Sequence, residues 1–172
     1  GWTQTFPPNT NYTDAITSGS TLSNRNFGNF HDGIISGIVY NDINGNGIKD
    51  ASDIGIADWQ MRISGTASDT VATDENGNYI FSGLQVGNYS VTKINQEGWT
   101  QTFPLETGYD VQVLSSSIAA NKNFGVFKLG VISGIVFEDV NGDGVKDNGE
   151  PGIINRTISL NTDFNQTLSN AN

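Results

Sequence analysis

Residues 33–53 read "GIISGIVYNDINGNGIKDASD", and residues 130–150 read "GVISGIVFEDVNGDGVKDNGE". Each opens on β-branched residues suited to a strand and closes on a twelve-residue stretch dense in acidic, amide and glycine residues. The copies lie 130 − 33 = 97 residues apart. The same offset separates "GWTQTFP" at 1–7 from 98–104, and "NFG" at 26–28 from 123–125. Three blocks at one offset, with no insertion, establish an internal repeat.

The phase divides the chain. One complete unit runs from 28 to 124, residues 1–27 match only the end of a unit, and residues 125–172 match only the start. Asn172 aligns with Glu75, so the counterpart of 76–97 does not follow it. The expectation is one whole module between two partial ones, either excised from a longer array or completed between molecules.

Within the complete unit, short alternating runs predict strands: "SGIVY" (36–40), "WQMRIS" (59–64), "DTVATD" (69–74), "NYIFSG" (78–83), "NYSVTKI" (88–94), "WTQTF" (99–103) and "YDVQVL" (109–114). Asn76-Gly77 reads as a hairpin turn. No amphipathic helix of useful length is visible. The fold class expected is all-β: immunoglobulin-like antiparallel β-sandwich modules in tandem, with acidic loops between strands.

Composition agrees and narrows the function. Hydrophobic content is 35% and charged content 15%, and Asn, Ser, Thr and Gly make up the polarity, which suits strands and turns. Eight Lys and Arg against 18 Asp and Glu leave a formal charge of −10, which repels nucleic acid and anionic membranes. With no Cys there is no disulfide, thiolate metal site or Cys nucleophile. No run of about 18 apolar residues predicts a membrane span. No signal peptide is visible, and a chain opening on "GWTQTF" reads as mature or excised.

The acidic stretches have the spacing of an EF-hand loop, which places oxygen side chains at positions 1, 3, 5, 9 and 12, Gly at 6 and a backbone carbonyl at 7. The first supplies Asp42, Asn44, Asn46, Gly47, Ile48, Asp50 and Asp53. The second supplies Asp139, Asn141, Asp143, Gly144, Val145, Asp147 and Glu150. Alternate side chains of a tightly wound loop converge, and crowded carboxylates repel one another without a cation. Calcium takes six to eight oxygens, whereas magnesium demands a smaller octahedron. The flanks are strands, so the expected Ca2+ is structural, fixing the first strand against the next. The hydrophobe after the Gly is expected to face inward. Asp53 is one methylene shorter than Glu150, so the second loop is expected to bind more tightly. Asp74, Asn76 and Asn78 offer a third oxygen cluster, which a plain turn explains better.

With these residues in view, the chain resembles the B-type calcium-binding repeats of serine-aspartate-repeat surface adhesins, a Cna-B-like family. The resemblance is carried by "SGIVYNDINGNGIKDASDIGIADWQMRIS", "TDENGNYIFSGLQVGNYSV", "GWTQTFP" and "NFG" in that order. It implies an immunoglobulin-like sandwich, loop-bound calcium and a rigid stalk or array module at the cell surface. Many related pilin domains carry a Lys–Asn isopeptide bond from a Lys in the first strand. Neither "GIISGIVY" nor "GVISGIVF" has one, and Lys93, Lys122 and Lys128 lie elsewhere, so none is expected.

Little points to an enzyme. The single His31 sits in "FGNFHDG", and nothing marks a Ser, His and Asp set. Trp2, Trp59 and Trp99 could form a carbohydrate platform, but Trp2 and Trp99 occupy one repeat position, where strand packing is simpler. Four sequons, at Asn11, Asn88, Asn155 and Asn165, are glycan candidates in a secreted glycoprotein. The reading is a non-enzymatic, calcium-stabilised structural module of an extracellular or cell-surface adhesion protein, whose partners are neighbouring repeats. One alternative is an extracellular filament of identical subunits, in which the N-terminal strands of one molecule complete the C-terminal half-module of the next. That filament would show as mass growth in light scattering. A module binding a host or surface ligand, carbohydrate or protein, is the other.

Overall fold

The computed structural model describes residues 1–160 and 166–169, with side chains to residue 159. Among them no helix occurs, and the strands are β1 Trp2–Phe6, β2 Gly28–His31, β3 Gly33–Asn41, β4 Ile54–Gly55, β5 Gln60–Gly65, β6 Asp69–Ala72, β7 Asn78–Leu84, β8 Gly87–Lys93, β9 Trp99–Phe103, β10 Gly108–Val113, β11 Ile118–Ala119, β12 Phe124–Lys128, β13 Thr157–Leu160 and β14 Gln166–Ser169. All seven runs expected as strands are strands, with ends shifted by a few residues. The chain divides into two units, Gly1–Leu129 and Gly130–Asn172.

The first unit holds two facing sheets. One has the order β10-β8-β5-β6 and is antiparallel throughout. The other is built around β3, which pairs antiparallel with β4 and β7 but parallel with β11 and β12, while β9 closes on β12. The expectation of a purely antiparallel sandwich is corrected here. The first and last strands of the module lie side by side and point the same way. Gly37 permits this closure, because a Cβ there would lie 2.2 Å from the carbonyl oxygen of Lys122.

Alternation puts every second residue between the sheets. Ile35, Val39, Tyr79, Phe81, Phe124 and Val126 from one sheet meet Met61, Ile63, Tyr89, Val91, Val111 and Val113 from the other. Each such side chain contributes roughly 1.5–3 kcal/mol when fully buried. Trp59 is also fully buried. Its indole N–H donates to the Ile94 carbonyl at 2.9 Å, and its ring meets Trp99 edge to face at 5.6 Å. Of the three Trp residues a carbohydrate platform would use, Trp59 is thus spent on packing, Trp99 is partly buried against it and Trp2 is exposed.

Asn76-Gly77 does not make the expected two-residue hairpin. β6 and β7 belong to different sheets, and only Gly77 has a positive φ, at 79°. The segment is a crossover turn that Asp74 closes from within. Its Oδ1 accepts from the N–H groups of Asn76 at 2.9 Å and Asn78 at 2.7 Å. These bonds, the Asn78 N–H foremost, hold the Asp74 carboxyl below its ordinary range.

Strand pairings recur at the 97-residue offset. β1 and β2 form a ribbon with Trp2 opposite His31, Thr3 opposite Phe30 and Gln4 opposite Asn29. Adding 97 to each gives the observed pairs Trp99–Lys128, Thr100–Phe127 and Gln101–Val126. Tyr12 stands edge-on to Phe27 at 5.5 Å as Tyr109 does to Phe124 at 5.4 Å. In the second unit, Phe137 bridges Gly152, the counterpart of Tyr40 with Gly55. β13 pairs with β14 in the register of β5 with β6.

Candidate metal centre

Each acidic loop winds around its first carboxylate. Asp42 Oδ1 accepts from the N–H groups of Gly45 at 2.8 Å and Asn46 at 3.1 Å, and Oδ2 accepts from Gly47 at 2.8 Å. Asp139 does the same for Gly142, Asp143 and Gly144, at 2.7, 3.1 and 2.7 Å. The backbone must double back for this, so Gly47 and Gly144 have φ of 75° and 80°.

The remaining positions follow the same plan. Asn44 Nδ2 donates to Asp50 Oδ2 at 2.8 Å, and Asn141 Nδ2 to Asp147 Oδ2 at 2.9 Å. In the first loop Asn46 Nδ2 also donates to Asp50 Oδ2, at 2.9 Å. The last residue ties both ends: Asp53 accepts from Ile43 N–H at 3.1 Å and Asp50 N–H at 2.8 Å, and Glu150 accepts from Val140 at 2.8 Å and Asp147 at 3.0 Å. The shorter Asp53 therefore reaches the same backbone groups as Glu150.

One expectation fails. The hydrophobes after the glycines do not face inward, for Ile48 and Val145 are exposed. Position 7 enters the loop through its backbone, with the N–H of Ile48 on Asn46 Oδ1 at 2.7 Å and that of Val145 on Asp143 Oδ1 at 2.8 Å. The first loop is anchored instead by its backbone. Asp42 N–H donates to Val126 O at 2.9 Å, and the bare Gly47 lets the loop rest on β9, since a Cβ would come within 3.1 Å of Thr102 O.

The electrostatics are strongly negative. Burial raises the Asp42 carboxyl, but the Thr102 hydroxyl and the N–H groups of Gly47, Asn46 and Gly45 outweigh it and leave the carboxyl below its ordinary value. Thr102 Oγ1 is enclosed yet has no well-formed hydrogen-bond partner, so its support for Asp42 is electrostatic proximity rather than a good bond. Burial, with the charges of Asp42 and Asp53 nearby, pushes the Tyr40 hydroxyl up to about 12. Glu150 is held low, chiefly by the Asp147 N–H and against its own desolvation, with help from Val140 and Lys146. Each loop has one Lys, and both are turned to a carbonyl: Lys49 Nζ to Asp53 O at 3.1 Å and Lys146 Nζ to Glu150 O at 2.6 Å.

Among the described residues, no three Asp, Glu or His side chains gather closely enough to hold a metal by themselves. Any cation here would need the Asn amides and backbone carbonyls as well. All donors are hard oxygens, a set that fits Ca2+ rather than a softer metal.

The other candidate residues are scattered. Asn11, Asn88 and Asn155 are exposed, and Asn165 lies outside the described residues. Lys93, Lys122 and Lys128 set their ammonium groups over Trp59, Tyr109 and Trp99 at 5.7, 5.5 and 5.8 Å. No helix among the described residues is long and apolar enough to cross a membrane.

Comparison with known proteins places these features. Residues 33–133 match the family model described as the SdrD B-like domain. Serine-aspartate repeat-containing protein D of Staphylococcus aureus (strain Newman) is 30% identical over 145 residues, which is 76% of this chain and 11% of that protein. Serine-aspartate repeat-containing protein F of Staphylococcus epidermidis (strain ATCC 12228) is 31% identical over 135 residues, or 71% of this chain and 8% of that protein. The chain thus spans about a tenth of the length of these relatives. Among solved structures, the minor pilin GBS52 of Streptococcus agalactiae aligns over 60% of this chain and 48% of its own, with a TM-score of 0.43 and 14% identity, too distant to argue from. The family match covers more than half of the sequence, and the chain belongs to the SdrD B-like domain family.

Proposed function

We propose that this chain is a non-enzymatic structural segment of an extracellular, surface-displayed protein, with one whole repeat at 28–124 between partial repeats at 1–27 and 125–172, stabilised by Ca2+ in its acidic loops. The observation that carries the reading is the double network: two loops 97 residues apart hold the same carboxylate positions by the same backbone bonds. Asp42, Asp53, Asp139 and Glu150 shape the turns by accepting backbone N–H groups, and Asp50 and Asp147 add further carboxylates beside the Asn amides, so each loop carries more acidic oxygens than its one Lys balances. In the first loop, Asp42, Asn44, Asn46, Asp50, Asp53 and the carbonyl of Ile48 would hold the ion. In the second, Asp139, Asn141, Asp143, Asp147, Glu150 and the carbonyl of Val145 would do so. The bound ion would offset the negative charge that Lys49 and Lys146 leave unbalanced in the two loops. The Asn amides would give up their donation to Asp50 and Asp147 and share with the ion the oxygens that now accept loop N–H groups.

Thermal unfolding in calcium and in chelator tests the reading. Extracellular modules bind calcium with Kd of the order of 10⁻⁴–10⁻³ M. At ten times Kd, one site adds about 1.4 kcal/mol, or roughly 5–10 °C of Tm for a domain of this size. Identical midpoints in the two solutions would refute the calcium reading.

A further inference from the structure

We propose that the residues around Asp32 form a clamp that fixes the closing ribbon of one repeat to the leading end of the next, independently of the acidic loops. The clamp rests on the tandem-repeat reading, and its occupant is a β1–β2-type ribbon. β2 ends at His31 and β3 begins at Gly33, so one residue joins the ribbon to the sandwich. Consecutive domains ordinarily move relative to one another unless their interface is substantial. A single residue could still act as a hinge, and the contacts around it remove that freedom.

Asp32 is held from both sides. Its N–H donates to Gly1 O within the ribbon at 2.9 Å, and its carboxylate accepts from Gln85 Nε2, on the turn between β7 and β8, at 2.8 Å. The β10–β11 connection grips the neighbours. His31 N–H donates to Ser115 Oγ at 3.0 Å, Ser116 N–H donates to His31 O at 2.9 Å, and Ile34 N–H donates to Ser117 O at 2.8 Å. Phe30 of the ribbon is buried within the core cluster of the sandwich. Gly33 is pressed so tightly on β10 that a Cβ would come within 2.4 Å of Val113 Cγ1. Segments more than fifty residues apart in sequence thus converge on one junction.

The clamp is remote from the first acidic loop. That loop leaves the far end of β3, nine residues long, which at about 3.3 Å per residue is roughly 26 Å away. Residues 1–31 contain no acidic loop of their own. The length of β3 therefore separates the clamp from a cation bound in the first acidic loop.

Residual dipolar couplings on the whole 172-residue chain test the proposal. The amides of β1 and β2 should fit the same alignment tensor as those of β5, β8 and β10, in calcium and in chelator alike. In Gln85→Ala/Ser115→Ala, which replaces two exposed side chains, the single tensor should be lost. Exchange at the Ser116 and Ile34 amides should rise about tenfold or more, with β8 amides unchanged as the control for folding. Two tensors in the unaltered chain, or unchanged exchange in the double variant, would overturn the clamp. A single tensor in calcium only would overturn its independence from the loops. The calcium reading itself stands or falls on the melting experiment.

Discussion

Asp42 and Asp139 accept the same three backbone bonds, yet Asp42 is fully buried and Asp139 is only partly so. The same contrast runs through the strands on either side. Ile35 is 0% exposed in the first unit and its counterpart Ile132 is 70% exposed in the second. Met61 is 0% exposed, and its counterpart Ile158 is 41% exposed. Loop winding and ribbon register are therefore written locally, in short-range turn chemistry and strand pairing. Burial is not local: it requires β7, β8 and β12 to lie over β3 and β5.

Substitution at paired positions should separate these contributions most sharply in the core. Ile35→Ala should cost about 2–5 kcal/mol, and Ile132→Ala no more than about 0.5 kcal/mol, read as the change in urea midpoint. Equal costs would break the contrast. At the first ligand position the gap narrows. Asp42→Ala, even in chelator, strands three N–H groups and should cost about 2–3 kcal/mol, whereas Asp139→Ala should cost several-fold less by thermal melting. A larger loss at Asp139 would mean that the second loop is the better packed of the two.

Acid sharpens the comparison least but reads the charges directly. Asp42 and Glu150 have folded pKa values below their ordinary ones. The unfolded state then binds protons first, so their contribution is complete above the ordinary carboxylate range near pH 4 and is lost as pH falls through the lower folded values. Stability in chelator should hold between neutral pH and about pH 5 and then decline. The decline should be shallower in Asp42→Asn, measured by melting at a series of pH values. An unchanged slope in that variant would remove Asp42 from the account.

Much of the architecture was legible in the sequence because it depends on periods. Alternation located all seven strands expected in the complete unit, with "WTQTF" at 99–103 matched to the residue. The offset located both loops; within the first, Asn44 donates to Asp50, while Asp42 takes backbone N–H groups of the loop instead. Partnership was harder to see. Nothing in "NFGVF" says that β12 will run parallel to β3, and the two-residue strands β4 and β11 are too short to carry a period. Asn76-Gly77 has hairpin chemistry but joins strands of different sheets, a choice made by the core. Ile48 misled because hydrophobicity marks residues that can be buried, while its loop position uses only the backbone. Thr102 gave no signal: its place beside Asp42 comes from β9 packing under a loop some fifty residues earlier.

The parallel pairing of β12 with β3 also decides how the module answers tension. The chain passes through Gly33 at one end of β3 and through Lys128 beyond its other end, with Phe124, Gly125 and Val126 alongside Val39, Tyr40 and Asn41. A pull on those two points slides the strands past each other lengthwise. Their hydrogen bonds are then strained together instead of one after another, as they would be in a hairpin opened from its free ends. The sandwich is thus arranged to resist shear between Gly33 and Lys128.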